Sequence, residues 1–386
     1  ELLPNINPKK VAGGILYYDG QFNDAELCID LVHTAVRYGA DVMNYTKAVG
    51  FIKENGVIVG VELEDTLGAA KRTVACKTVI NATGVFTDSV LQMDDPNADT
   101  LVYPSQGIHL VVDAHFFKGV NAMMIPKTDD GRVLFAVPWQ NKVVVGTTDT
   151  HVDHIDAEPL PLAEEIHFVL EHFNRYTNAV ITTADVLSVF VGLRPLVKSA
   201  SSNISSMLSR DHTLIVSQSR MVTITGGKWT TYRKMAEDAV NNAVFVAKLD
   251  GAGPGASSGA ASGAKKCITK DLPIGDLGAA SVLAAQLIID EPLLGNYLNH
   301  EYAAFRDIAY AIRVVDVIVA ARCNYVRTVE DFLARRNRLL FLDARAAIQF
   351  APAVADILQK ELNWTNEQRD TQLNAFIQLA NQYIIH

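Results

Sequence analysis

Cysteine is scarce in this chain: 386 residues carry four, Cys28, Cys76, Cys267 and Cys323, far apart and without a CxxC pair. That excludes a disulfide framework or a cysteine-built zinc site and fits a reducing compartment. Positive charge is in deficit, with 34 basic against 43 acidic residues and a net charge of -9. A general nucleic-acid binder needs the opposite balance to neutralise phosphates, so any anion site must be local. Long apolar runs are missing too. The densest, residues 314–321, falls well short of the roughly 18–20 residues a membrane-crossing helix requires. The chain opens Glu1-Leu2-Leu3-Pro4, with no initiator Met, basic n-region or apolar h-region, so no signal peptide is visible and it reads as the later part of a longer protein.

What remains is ordinary globular composition, 49% hydrophobic and 20% charged. At about 150 residues per domain the length predicts two or three domains. Residues 251–264 read GAGPGASSGAASGA and predict a flexible linker between a mixed helix-and-strand domain at 1–250 and a helical domain at 265–386. The GAGPGA within it is not a phosphate loop, because no apolar strand precedes it and no amphipathic helix follows.

Before the linker, helical and strand patterns alternate, which predicts an α+β or α/β fold with mixed sheets. A helix is expected over 24–38, capped by Asn23 and stopped at Gly39. Strands are expected around 42–45, 49–53, 57–63, 74–81, 109–113, 132–137, 142–146, 186–191, 213–217 and 221–225, from their Val, Ile and Thr content. Asn55-Gly56 signals a type I′ hairpin. After the linker, Thr328 with Asp331 and Thr365 with Gln368 have capping-box spacing and predict helices through about 342 and 384. Residues 322–345 hold six Arg and three acids, either a solvated helix face or a contact for an anionic membrane surface or partner.

Chemistry is expected at the strand ends. Residues 79–84, VINATG, form a strand running into a small-residue turn that lets a bulky ligand approach the backbone. Residues 222–232, VTITGGKWTTY, form a strand, a Gly-Gly turn and a helix carrying Met235, Ala236, Ala239, Val240 and Ala243 on its apolar face. The free N–H groups and positive dipole end there suit a phosphate or an anionic ring, and Lys228 adds charge. Arg194 lies in an apolar run and is either a structural ion pair or an oxyanion ligand. Arg210 precedes a strand beside Asp211, which makes a local salt bridge the simpler account. His109 begins an apolar strand and can exchange a proton near neutral pH, although a hydrogen-bonded core histidine is the commoner case. His151-Val152-Asp153-His154 reads as a polar loop, with no metal site implied.

Together, GGILYYDGQFNDAEL (13–27), NATGVFTDSV (81–90), PSQGIHLVV (104–112), VVGTTDT (144–150), GLRPL (192–196), SRDH (209–212), TGGKWTTYRKMAE (225–237) and RTVEDFLARRNRLLFLDARAA (327–347) resemble FAD-dependent glycerol-3-phosphate dehydrogenase over nearly the whole chain. The resemblance implies a glycine-oxidase and D-amino-acid-oxidase-like fold with a small all-α C-terminal domain. It implies FAD as cofactor, with Val49 near the adenine and Ala82, Thr83, Gly84, Gly226, Gly227, Trp229 and Thr230 along the cofactor. It also implies Arg194, Arg210 and Lys228 as ligands of sn-glycerol 3-phosphate, with His109 as base and Arg194 stabilising the developing alkoxide. The resemblance further implies that electrons pass to a membrane quinone, with peripheral attachment to the cytoplasmic side of an inner membrane. The alternatives are an oxidase using oxygen, or a non-catalytic fragment that does not retain FAD. The chain departs from the family at Ile108, where a small polar residue is usual, at Trp229, where an aliphatic one is usual, and in lacking the N-terminal βαβ unit with its Gly-x-Gly-x-x-Gly loop.

Overall fold

The structure, a computed structural model, describes residues 2–125, 128–198, 211–249, 267–275, 278–296, 298 and 311–386. The 251–264 segment and Arg210 lie outside them.

The first helix, α1 (Asp24–Arg37), begins where the Asn23 side chain accepts from the Glu26 N–H and ends before Gly39, as its sequence predicts. β1 (Thr46–Glu54) and β2 (Val57–Asp65) follow as an antiparallel hairpin closed by Asn55 and Gly56, both at positive φ as a type I′ turn requires. β3 (Lys71–Ala75) completes this three-stranded meander. Two strand expectations fail here. Residues 42–45 form no strand; Tyr45 takes a left-handed φ of 52° and the strand starts at Thr46. Residues 74–81 divide into β3 and a separate β4 (Val79–Asn81), because β3 pairs with β2 whereas β4 joins another sheet.

After α2 (Thr87–Asp94), the largest sheet is built from β5 (Val102–Asp113), β6 (Met123–Ile125), β7 (Leu134–Trp139), β8 (Lys142–Gly146), β9 (Thr150–His151) and β10 (Val186–Val197). Its path is β10-β5-β8-β7-β6, with β9 also on β5, and every pairing is antiparallel. β5 and β10 run much longer than their apolar runs suggest, since each continues through polar and glycine positions while staying paired to the other.

Each face of this sheet packs on something different. Ile108, Leu110, Val143, Val145 and Val189 point to a core shared with Val169 and Phe173 of α3 (Ala163–Tyr176). Phe190 and Trp139 face the C-terminal helices instead, where Phe190 meets Phe341 edge-on and Ser188 Oγ donates to the Leu340 carbonyl. Alternating side chains of one strand thus tie two cores together.

The third sheet is β11 (His212–Val216), β12 (Met221–Gly226) and β4, with β12 parallel to β4. After a 3-10 turn at Trp229–Thr231 the chain enters α4 (Tyr232–Val246), which packs on β12 through Ala239 and Ala243, whereas Val240 faces solvent. The C-terminal region is helical, with α5 (Ala279–Asp290), α6 (Val314–Cys323), α7 (Leu339–Leu342), α8 (Ala344–Leu362) and α9 (Asn366–Asn381). The Thr365 capping box opens α9 as expected. The helix expected from Thr328 is not continuous: Asp331–Arg336 widens into a π-helical turn and Arg338 adopts φ 69° before α7. Arg335 in that turn reaches Glu158 and Glu330, and Arg336 donates to the Asn324 carbonyl, so side-chain pairing with neighbouring segments accompanies the irregular backbone.

Candidate functional site

The site begins with the register of β5 on β10. His109 lies opposite Phe190, Gly107 opposite Gly192, and Ser105 opposite Arg194. Directly opposed residues in an antiparallel pair share a face, so these six form a patch beside the helical contact of Phe190. In its middle are two glycines. A Cβ built on Gly192 would meet nothing within 4 Å, whereas one on Gly107 would collide with the Arg194 Nη2, with the Thr147 Oγ1 at 2.5 Å and with the Thr148 carbonyl at 2.6 Å. The Arg194 guanidinium therefore occupies the space a side chain at 107 would take, and open space remains over Gly192. A cation and an imidazole flank a gap that no side chain fills.

Arg194 is held on two sides. Its Nη2 donates to Thr147 Oγ1 at 3.1 Å, and its Nη1 is 3.8 Å from the Asp149 carboxylate, which also accepts a short bond from Ser105 Oγ. The ion-pair reading of Arg194 is the one that a contact here matches. Asp149 supplies that loose ion pair, while Nη2 bonds to Thr147 over Gly107.

The His109 ring stacks on Phe190 at 5.1 Å and abuts Gly146, where any Cβ would strike it. Part of its surface still meets solvent, but the ring is enclosed by protein. That burial, reinforced by the Arg194 charge, lowers its pKa from 6.5 to about 4. The imidazole is neutral at neutral pH and free to accept a proton.

The second component is a pair of turns. Because β4 and β12 are parallel, with Thr223 beside Asn81, both release their chains at the same end of the sheet. Ligands of open parallel sheets collect at that end. Ala82 and Thr83 are exposed there, and a Cβ on Gly84 (φ 60°) would meet nothing within 4 Å. Gly226 and Gly227 have φ of 77° and 71°, a conformation that only glycine adopts freely. Lys228, Trp229 and Thr230 follow on the exposed lip. Val197, at the end of the strand carrying Arg194, touches the Cβ position of Gly226. β10 thereby connects the His109–Arg194 gap to both turns, and it also packs against the 3-10 turn at Gly84–Phe86. Open backbone at one sheet end, with a cation and a neutral imidazole alongside, fits the flat ring of FAD beside a small anionic substrate.

Not every expected residue gathers here. Val49 lies in β1 at a bulge, where the register slips between Ala48 and Gly50, and belongs to a different sheet. The helix expected directly after Gly227 starts only at Tyr232, behind Lys228 and the turn at Trp229–Thr231. His212 bonds to Asp238 of α4 at 3.0 Å. His151 stacks on Tyr103 at 3.8 Å with its Nδ1 at the Pro104 carbonyl, and His154 is not beside it in any three-ligand cluster among the described residues. Sequence reasoning missed Ser105, Thr147 and Asp149. For Thr147 and Asp149 the signal was present as a Gly-Thr-Thr-Asp-Thr run, but nothing in that run announces an arginine 45 or more positions away.

Residues 1–233 match the family model described as FAD dependent oxidoreductase, and residues 278–369 match the C-terminal domain of alpha-glycerophosphate oxidase. The mitochondrial glycerol-3-phosphate dehydrogenase of Homo sapiens is 34% identical over 404 residues, covering 97% of this chain and 54% of that protein. A mitochondrial glycerol-3-phosphate dehydrogenase of Arabidopsis thaliana is 32% identical, covering 97% and 64% respectively. Among solved structures, the glycerol-3-phosphate dehydrogenase from Bacillus halodurans complexed with FAD superposes with a TM-score of 0.80 at 26% identity, covering 99% of this chain and 77% of that one. The chain thus spans about half the length of the human relative.

Proposed function

The chain belongs to the FAD dependent oxidoreductase family, and from that premise we propose that it forms the substrate-handling part of a glycerol-3-phosphate dehydrogenase. The reaction is oxidation of sn-glycerol 3-phosphate to dihydroxyacetone phosphate. The observation that carries this reading is the glycine-floored gap between His109 and Arg194, opening beside the two exposed turns.

Residues 82–84, Gly226, Gly227, Trp229 and Thr230 would hold FAD, and Val49 would lie toward its adenine end. When bound, FAD supplies the acceptor for the C2 hydride. The chain's own groups do the rest. Arg194 offers a two-pronged donor to substrate oxygens and Lys228 a mobile point charge for the phosphate, joined by Arg210 in this proposal. His109 accepts the C2 hydroxyl proton. Its low proton affinity in the free site owes part of its cause to Arg194, and an anionic substrate beside Arg194 offsets that cation and raises the affinity when the base is needed. Arg194 stabilises the negative oxygen that results.

The acceptor of the electrons is proposed to be a membrane quinone, reached by peripheral contact. No helix among the described residues is long and apolar enough to cross a membrane. Oxygen as acceptor would give peroxide when glycerol 3-phosphate is supplied without quinone.

The test is the visible spectrum of the purified chain with FAD, followed by anaerobic glycerol 3-phosphate. Retained yellow colour that bleaches on addition supports the proposal. Colour that persists unbleached rejects the substrate, and loss of colour on desalting rejects this chain as a self-sufficient flavoprotein.

A further inference from the structure

A buried carboxylate lies on the opposite side of the strands from the gap. Glu165, in the first turn of α3, is 3% exposed. In an ordinary capping box it would only accept the Leu162 N–H, which it does at 3.2 Å. It also accepts Gln106 Nε2 at 2.7 Å on the same oxygen, and Thr148 Oγ1 at 2.8 Å and Thr150 Oγ1 at 2.7 Å on the other. Thr148 Oγ1 in turn accepts the Ile108 N–H at 3.0 Å.

These partners alternate with the residues around Arg194. Gln106 and Ile108 are tied to the Glu165 side, while Ser105, Gly107 and His109 face the gap. Thr148 and Thr150 are tied to Glu165, while Thr147 and Asp149 reach Arg194. In extended chain, fixing alternate side chains on one face fixes their neighbours on the other. One acceptor-only group thus sets β5 and the 148–150 segment at once, and four donors converging on it satisfy it completely.

We infer that Glu165 is the positioning residue for Arg194, acting through the 146–150 segment and β5 to hold Thr147, Asp149 and Ser105 where the guanidinium meets substrate. This rests on the proposal that Arg194 binds the substrate. Glutamine at 165 keeps one acceptor and the shape, and the threonine hydroxyls can turn to accept its amide. Alanine leaves Thr148, Thr150 and Gln106 without their acceptor.

The experiment uses the full chain with Glu165→Gln, Glu165→Ala, Arg194→Ala and the double variant Glu165→Ala/Arg194→Ala. First, the Arg194 Nε–H NMR signal, identified by its loss in Arg194→Lys, is expected to be distinct in wild type and Glu165→Gln and to move to the solvent-averaged position in Glu165→Ala. Second, Glu165→Ala is expected to weaken glycerol 3-phosphate binding about tenfold by calorimetry, while the double variant binds no worse than Arg194→Ala alone. An unmoved Arg194 signal, or a tenfold loss that persists when Arg194 is absent, overturns the inference. Should Glu165→Ala not fold, Thr150→Val removes one of the four bonds isosterically and must shift the same signal. If wild type binds no glycerol 3-phosphate, the substrate reading fails and the NMR signal alone decides the positioning role.

Discussion

The Nη2 of Arg194 donates to the Oγ1 of Thr147 at 3.1 Å, through the space that any side chain at residue 107 would fill. That one contact sets two glycines of the same cross-strand pair in opposite roles.

Gly107→Ala is expected to push the guanidinium off Thr147. Substrate-dependent flavin reduction should fall by about a hundredfold, as a misplacement of about an ångström commonly does. Gly192→Ala adds a methyl to open space, so its melting temperature should match wild type while KM rises from lost room in the gap. Stopped-flow reduction and thermal melts of the two variants side by side check this. Equal damage from both rejects the asymmetry.

His109 makes stability depend on pH in a defined window. Its folded pKa is about 4 against 6.5 unfolded, so between those values the unfolded chain binds more protons than the folded one. Stability is therefore lost as pH falls from about 6.5 towards 4, by up to about 3 kcal/mol from this group. Urea titrations at several pH values should show a flatter dependence for His109→Asn across that window. The same variant should lose the ionisation in the pH–rate profile that reports the base; an unchanged profile removes His109 from that role.

Lys228→Ala removes an exposed charge from the lip without disturbing the turn, whose Lys228 N–H and carbonyl both bond to Thr231 Oγ1. KM for glycerol 3-phosphate should rise about tenfold with FAD retained. The difference from wild type should shrink as salt is added, which initial rates across an ionic-strength series will read.

Arg335 bridges Glu158 and Glu330, and Tyr383 Oη donates to Glu158, clamping the C-terminal helices to the sheet domain. Burial already raises the Glu330 pKa against the pull of Arg335. Arg335→Met leaves two carboxylates close together and, with all three side chains about a third exposed, should cost about 1–2 kcal/mol. The deficit should narrow below pH 5, where protonation relieves the repulsion. Chemical denaturation at pH 7.5 and 4.5 tests the sign, and a deficit that grows in acid contradicts it.

Much of this was legible in the sequence because it rests on local physics. Asn23 and Gly39 bound α1, Asn55-Gly56 makes the β1–β2 turn, and Thr365 with Gln368 opens α9, each within a few residues of chain. The two turns at 82–84 and 226–230 announced themselves by small residues at strand ends. Misreadings fell where distant partners decide the outcome. Residues 74–81 form two strands because they serve two sheets, and the 328–342 run breaks where Arg335 and Arg338 bond to the distant Glu158 and Asp24.

The sequence by itself determined the residue types, the net negative charge that makes any anion site a local one, and the glycines that permit open turns. Only the tertiary structure decided that His109, Gly107 and Ser105 would lie opposite Phe190, Gly192 and Arg194, because register is a property of pairing between strands some eighty residues apart. It also decided that Glu165 lies behind them. A buried carboxylate cannot be told from a surface one until its donors arrive from other strands, and those donors converge only when the chain is folded.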